Sequence, residues 1–211
     1  MTADAGAASW LRVVRIGVGI LGVVALAWIP VRDLGAEGFS LANYFSYFTI
    51  QSNVLGVVVL LVGGFADPAA RRWQVLRGAS TLYLVITGVV YATLLAHLDV
   101  MLDDRWINDV LHRVLPIVIL ADWIVAPRRL GITPGLIGAW LAYPAVYAAY
   151  TLLRGPWAGW YPYPFLDPTE QGYVSLALGL IVLTMVFALL AVAVAGIGDL
   201  RGRRERPPRL S

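Results

Sequence analysis

Six apolar stretches lie along the chain, at about residues 10–30, 44–64, 79–98, 107–126, 132–152 and 173–198. Each approaches or exceeds the roughly 20 residues that an α-helix needs to cross a hydrocarbon core. From residue 55 the second stretch reads Leu-Gly-Val-Val-Val-Leu-Leu-Val, with no alternation of polarity. Strands of a membrane β-barrel would alternate, so the pattern predicts helices. Lipid offers no water to unpaired backbone groups, and a helix satisfies its own. The expected fold is an all-α, integral membrane bundle of six transmembrane helices. It forms a single domain over residues 1–211, ending in a short basic tail at 199–211. The first stretch has a basic flank and a loose small-x-small site at Ala36-Glu37-Gly38, yet it reads as the first of a regular series rather than as a cleaved leader. The halves 10–98 and 107–198 share no motif, which weighs against a transporter built from inverted repeats.

Arginine placement orients the series. Arg12, Arg15, Arg71, Arg72, Arg77, Arg128, Arg129, Arg201, Arg203, Arg204, Arg206 and Arg209 fall at one end of the stretches. Only Arg32, Arg105 and Arg154 fall at the other, and Arg113 lies within the fourth stretch. Basic residues favour the cytoplasmic side. Both termini are therefore expected in the cytoplasm, with the chain in the cell membrane.

Polar residues interrupt the apolar pattern unevenly. In the second stretch Ser46, Thr49 and Asn53 recur at i, i+3 and i+7, with Gln51 and Ser52 beside them. That spacing puts the first three on one helix face. The remainder of the stretch, from Val54 to Val62, is apolar, so the polar stripe occupies only the outer half. The fourth stretch carries Asn108, Asp109, His112, Arg113, Pro116, Asp122 and Trp123. Thr49 and His112 each lie about five residues in from the outer end, roughly 8 Å deep at 1.5 Å per residue. They are at matching depth on separate helices. The fifth stretch sets Trp140, Tyr143, Tyr147, Tyr150 and Arg154 at steps of three or four, and the third sets Tyr83, Thr87 and Tyr91 at steps of four. These faces are candidates to line a shared cavity. The segment 153–172 holds four prolines and several aromatic residues. It reads as a stiff interface anchor, or as a lid over the polar cluster. The sixth stretch is almost purely apolar and is expected to pack or to face lipid.

Composition narrows the chemistry. The 211 residues are 59% hydrophobic and 14% charged, with a mean hydropathy of +0.74. A soluble domain of this size cannot hide so much apolar surface. The absence of cysteine excludes disulfides, thiolate nucleophiles and Cys-ligated zinc. All sixteen basic residues are arginine, so a lysine Schiff base is excluded. There are two histidines, and Asp99, Asp103, Asp104 and Asp109 lack a recognised cation-loop spacing, so neither metal nor cofactor is expected. The net charge of +3 is dispersed over helix ends. It points to membrane lipids as partners rather than to nucleic acid.

Three motifs resemble one family. They are Tyr47-Phe48-Thr49-Ile50-Gln51-Ser52-Asn53, Leu111-His112-Arg113-Val114-Leu115-Pro116 and Tyr163-Pro164-Phe165-Leu166-Asp167. The family is that of the androgen-induced and androgen-dependent TFPI-regulating membrane proteins, with their bacterial six-span relatives. The likeness covers the second to sixth stretches in order. Its eukaryotic members are threonine hydrolases of lipid esters, including fatty acid esters of hydroxy fatty acids, and they use one intramembrane threonine and one intramembrane histidine. Matched motif by motif, the resemblance implies a Thr49 nucleophile and a His112 base, a lipid-like small-molecule substrate and a bacterial membrane. The Gln-Ser-Asn run and the Asp122-Trp123 pair are similar to the bacterial branch, and the Thr-to-His segment is shorter than in the animal members.

Hydrolysis through a threonine needs a base in hydrogen-bond reach, a group to orient it and donors for the oxyanion. Asp109 is a candidate to orient His112, or simply meets water. Gln51, Ser52, Asn53 or a tyrosine hydroxyl are candidate oxyanion donors. Arg113 or Arg154 could hold a carboxylate, and Tyr147 could line the substrate site. A non-catalytic binder of lipid or small molecules using the same cavity is the alternative. A transporter would want ionisable groups spaced through the whole membrane, whereas these cluster in the outer half, with Asp122 alone near the inside.

Overall fold

The computed structural model describes residues 2–96 and 104–204, and the side chains of 9–96 and 104–200. His97, Asp99, Asp103 and the end of the basic tail lie outside the described residues. Among the described residues the chain is helical, with no strand. The helices are α1 (Thr2–Asp33), α2 (Leu41–Tyr44), α3 (Phe48–Phe65), α4 (Arg71–Val90), α5 (Arg105–Asp109), α6 (Leu115–Val125), α7 (Pro134–Ala158), α8 (Pro168–Gln171) and α9 (Tyr173–Arg204). A π-helical turn at Tyr91–Leu95 extends α4, and a second at Val110–Val114 joins α5 to α6 without a break.

Five of these segments are long and apolar enough to cross a membrane: Ser9–Asp33, Phe48–Phe65, Arg71–Leu95, Pro134–Ala158 and Tyr173–Leu200. Their outward faces are apolar too. Val13, Val31, Leu178, Met185 and Leu189 are all more than half exposed. So many exposed large apolar side chains are foreign to a water-soluble monomer and fit a membrane protein. The fourth apolar stretch is the continuous run α5–π-turn–α6, whose regular α-helix is interrupted. Pro116 is the reason. It has no N–H for the His112 carbonyl, and its ring would crowd that carbonyl in a regular helix. The backbone widens just before it, where Leu115 N–H reaches back to the Val110 carbonyl.

Glycines at several helix contacts, Gly64 and Gly88 among them, set how closely the helices approach. A Cβ at Gly64 of α3 would stand 2.6 Å from Ile16 Cγ1 and 3.3 Å from the Arg12 carbonyl oxygen of α1. A Cβ at Gly88 of α4 would stand 3.2 Å from Pro116 Cβ and 3.5 Å from the His112 carbonyl oxygen. Small residues let backbones meet in lipid, where packing replaces the hydrophobic drive. At Gly88 that approach presses α4 against the turn that carries His112.

Some boundaries differ from those the apolar pattern predicts. α4 begins at Arg71, not near residue 79, because Gln74 and Arg77 are buried rather than solvated. Arg77, expected between spans, lies inside α4 and is 2% exposed; Arg15 of α1 is 3% exposed. Both bind Asp122 of α6: Arg15 Nε donates to Oδ1 at 2.6 Å and Arg77 Nη2 to Oδ2 at 2.7 Å. Asp67 also lies near Arg15, at 3.3 Å. This buried cluster ties α1, α4 and α6 together at the arginine-rich end. The second apolar stretch is also divided. The chain turns at residues 45–47, and α3 proper starts at Phe48.

Candidate active site

Thr49 is the second residue of α3. Its neighbours face opposite ways: Phe48 packs with Leu82, Tyr83 and Tyr147, while Ile50 packs with Val110, Leu111 and α1. Thr49 is left between the two apolar clusters, buried at the end of the bundle away from the Arg15–Arg77–Asp122 cluster. The first N–H groups of a helix have no partner within it. Tyr47, at the N-cap, supplies none from its side chain. Two distant tyrosines do. The Phe48 N–H donates to the Tyr147 hydroxyl of α7 at 3.2 Å, and the Thr49 N–H to the Tyr163 hydroxyl at 3.1 Å. Tyr147 passes its own proton to the Ser46 carbonyl at 2.8 Å, which holds the turn before α3.

His112 approaches from the second π-turn. Its Nε2 is 3.4 Å from Thr49 Oγ1. Its Nδ1 is 3.1 Å from the backbone carbonyl of Asn108. A carbonyl only accepts, so Nδ1 carries the proton and Nε2 presents a lone pair to the threonine hydroxyl. The imidazole stacks on Tyr91 of the first π-turn, with ring centroids 4.3 Å apart and planes at 23°. Asn108 Nδ2 donates to the Tyr91 hydroxyl at 2.6 Å, which fixes the stacking partner in turn. π-turns are frequent at functional sites because they re-aim side chains. Here both π-turns converge on one imidazole.

The segment after α7 folds back over the site. Gly159, at φ +69°, ends α7 in the left-handed region that glycine tolerates. A 3₁₀ turn at Pro164–Leu166 and α8 follow, the latter capped by Asp167, whose carboxylate accepts from Thr169 N–H at 2.8 Å. Tyr163 is thereby buried with its hydroxyl 3.2 Å from Thr49 Oγ1. Burial pushes its phenol up to about 12, so the group is a neutral hydroxyl at physiological pH.

Two cavities meet at this point. One, of about 510 Å³, is lined by Thr49, His112, Tyr91 and Tyr47 and reaches Arg32 and Asp104 at its rim. Arg32 donates to Asp104 there at 2.5 Å. The other, of about 150 Å³, is almost wholly apolar and runs between Phe48, Pro144, Tyr147 and the α9 residues Leu180, Leu183 and Phe187. Thr49, Leu95 and Tyr163 line both.

The remaining candidates separate. Tyr147 lines the apolar cavity. Asp109 does not orient His112: it pairs with Arg113 one turn on, and both are about half exposed. The Asn108 carbonyl takes the orienting position, because Asp109 points off the helix face that His112 uses. Arg113 lies over the Tyr91 ring, 5.7 Å from its centroid. Arg154 donates to Asn43 Oδ1 at 2.6 Å and covers Trp160, so it lines neither cavity. The amide and hydroxyl donors of the second stretch are engaged elsewhere. Asn53 Nδ2 donates to the Thr49 and Leu111 carbonyls at 2.8 and 3.1 Å. Ser52 bonds the Thr49 carbonyl and Thr87 Oγ1 at 3.1 and 2.9 Å. Gln51 accepts from Tyr143 and donates to the Phe45 carbonyl. These three brace α3 rather than face the cavity. The sequence reading did not assign Tyr163 or the Asn108 carbonyl a role as individual groups; for Tyr163 the signals were the lid-like segment, its place in the Tyr-Pro-Phe-Leu-Asp motif and the expectation of a tyrosine hydroxyl among the oxyanion donors. No group of three potential metal ligands occurs among the described residues. No family model matches the chain, nor does any curated protein or solved structure.

Proposed function

We propose that the chain is a six-span integral membrane protein of the cell membrane, with both termini cytoplasmic, that hydrolyses lipid esters through Thr49 and His112. The observation that carries the hydrolase reading is the 3.4 Å approach of His112 Nε2 to Thr49 Oγ1 at the wall of a cavity of about 510 Å³. In this reading the fourth apolar stretch, the continuous run α5–π-turn–α6, joins the five long apolar helices to make six spans, and the arginine asymmetry supports the orientation.

In this reading Thr49 Oγ1 attacks the ester carbonyl while Nε2 takes its proton. The Asn108 carbonyl holds the other ring nitrogen protonated and stabilises the imidazolium that forms, the role an aspartate plays in serine hydrolases. His112 then protonates the departing alcohol. Water attacks the acyl-threonine by the same path, giving up its proton to His112, which returns it to Thr49 as the carboxylic acid leaves. Thr49 lies in the first turn of an 18-residue helix, whose positive end favours the negative charge that develops there. The apolar cavity suits an acyl chain, and the larger cavity suits the rest of the substrate.

The test uses purified, detergent-solubilised protein with a fluorophosphonate probe and a panel of p-nitrophenyl acyl esters. Labelling and turnover are expected in the wild type and absent in folded Thr49→Ala and His112→Ala. Turnover that survives Thr49→Ala refutes the nucleophile. A wild type inert to both reagents moves the reading to a non-catalytic lipid binder, to be followed by mass spectrometry of co-purified lipids.

A further inference from the structure

The tyrosine that covers Thr49 is bonded in a way that capping α3 does not explain. A phenol has one proton to give and lone pairs to receive with. The Tyr163 oxygen receives the Thr49 N–H at 3.1 Å, so its own proton remains to be placed. The nearest acceptor is Thr49 Oγ1, at 3.2 Å. That oxygen has its own proton directed at His112 Nε2. Tyr163 therefore aims a donor at the same nucleophilic atom that faces the base. The contrast with Tyr147 is instructive. That hydroxyl also receives an α3 N–H, but its proton is taken by the Ser46 carbonyl, which completes a purely structural bridge.

On the hydrolase reading of the same site, we propose that Tyr163 is a third catalytic residue, the donor that stabilises the oxyanion of the tetrahedral intermediate. When Thr49 Oγ1 bonds to the carbonyl carbon, the carbonyl π electrons move onto its oxygen. That oxygen becomes a close neighbour of Oγ1, bonded to the same carbon. The proton of Tyr163 swings from Oγ1, which is losing its lone pair to the new bond, to the new oxyanion. The phenol keeps its proton throughout. The charge returns to the C=O bond when the alcohol leaves with the proton held by His112. The same donation serves water attack on the acyl-threonine. Its position between the two cavities, each of which it lines, is where the scissile carbonyl of an ester spanning them has to sit. Burial and stacking on Phe165, with centroids 5.1 Å apart, hold the hydroxyl in place before substrate arrives.

The experiment follows p-nitrophenyl ester turnover by wild type, Thr49→Ala, Tyr163→Phe and a form carrying 3,5-difluorotyrosine at position 163. The last keeps the hydroxyl, and so the bond from Thr49 N–H, but acidifies it. Tyr163→Phe is expected to lower kcat about 10²- to 10³-fold, as loss of an oxyanion donor does, with KM within about threefold. The difluorotyrosine form is expected to stay active at low pH and to lose kcat at a lower pH than the wild type, because only the protonated phenol donates. If Tyr163→Phe keeps its kcat while Thr49→Ala abolishes turnover, the donor role is overturned and the threonine hydrolase stands. An unshifted alkaline limb in the difluorotyrosine form reduces Tyr163 to a cap of α3 and also overturns it. If wild type and Thr49→Ala are equally inert, the hydrolase reading falls and takes the donor role with it.

Discussion

Replacing Asp122 with alanine should be among the most damaging single changes outside the candidate site. Its carboxylate is 6% exposed and receives Arg15 Nε at 2.6 Å and Arg77 Nη2 at 2.7 Å, both from guanidiniums at most 3% exposed. Removing it strands two buried positive charges, a change that costs about 3–5 kcal/mol. Other contacts offset part of this. Arg15 Nη1 keeps the Gly63 carbonyl at 3.0 Å and lies 3.3 Å from Asp67, which is partly exposed. Arg77 keeps Gln74 Oε1 at 2.8 Å and the Ala126 carbonyl at 3.3 Å. The expected loss is therefore near the lower bound, about 3 kcal/mol, or more than a hundredfold in the folding equilibrium. The assay is reversible unfolding of the purified protein in mixed micelles, followed by tryptophan fluorescence. Asp109→Ala serves as the control. It breaks an ion pair about half exposed at both partners, and exposed helical pairs contribute about 0.3–0.5 kcal/mol. A triple variant, Arg15→Met, Arg77→Met and Asp122→Leu, should recover most of the loss, because it removes the stranded charges as well as the pair. A cost below about 1 kcal/mol for Asp122→Ala, or a triple variant no more stable than Asp122→Ala, would refute the argument from desolvation.

Three further outcomes follow from particular contacts. Gly88→Val should drive a branched side chain into Pro116 and the His112 carbonyl, costing about 1–3 kcal/mol by overpacking; ester turnover should fall with it, and unchanged turnover would count against the role of this helix approach in setting the site. Tyr147→Phe removes the bridge from Phe48 N–H to the Ser46 carbonyl, and unfolding should become easier by about 1–3 kcal/mol while the fluorophosphonate still labels Thr49. The raised phenol of Tyr163 has a definite sign in stability. Above 10.0 the unfolded chain releases this proton while the folded chain holds it until about 12, so stability is lost as pH rises through that window. Wild type should therefore lose more stability between these values than Tyr163→Phe does, and equal slopes would contradict the burial of the group.

The sequence by itself determined that the chain is helical and apolar-faced, because a run of apolar residues in lipid has few alternatives to a helix. The spacing of Ser46, Thr49 and Asn53 and the matching depth of His112 also made two helices candidates to meet. Periodicity describes one helix at a time, however, and cannot say which faces of two helices touch. The 3.4 Å contact between Thr49 and His112 exists because Gly88 admits Pro116 and because the widened turn before that proline re-aims the imidazole. The same limit explains the misplaced partners. Asp109 and Asn108 are adjacent in sequence, and only helix rotation decides that the backbone of one meets His112 while the carboxylate of the other meets Arg113. Arg77 reads as a loop cation until tertiary packing buries it against Asp122. Tyr163 stands far from Thr49 in sequence, at the end of an irregular segment that has no period to read. Its place over the nucleophile comes from the return of that segment after Gly159, a long-range contact whose closure no local pattern encodes.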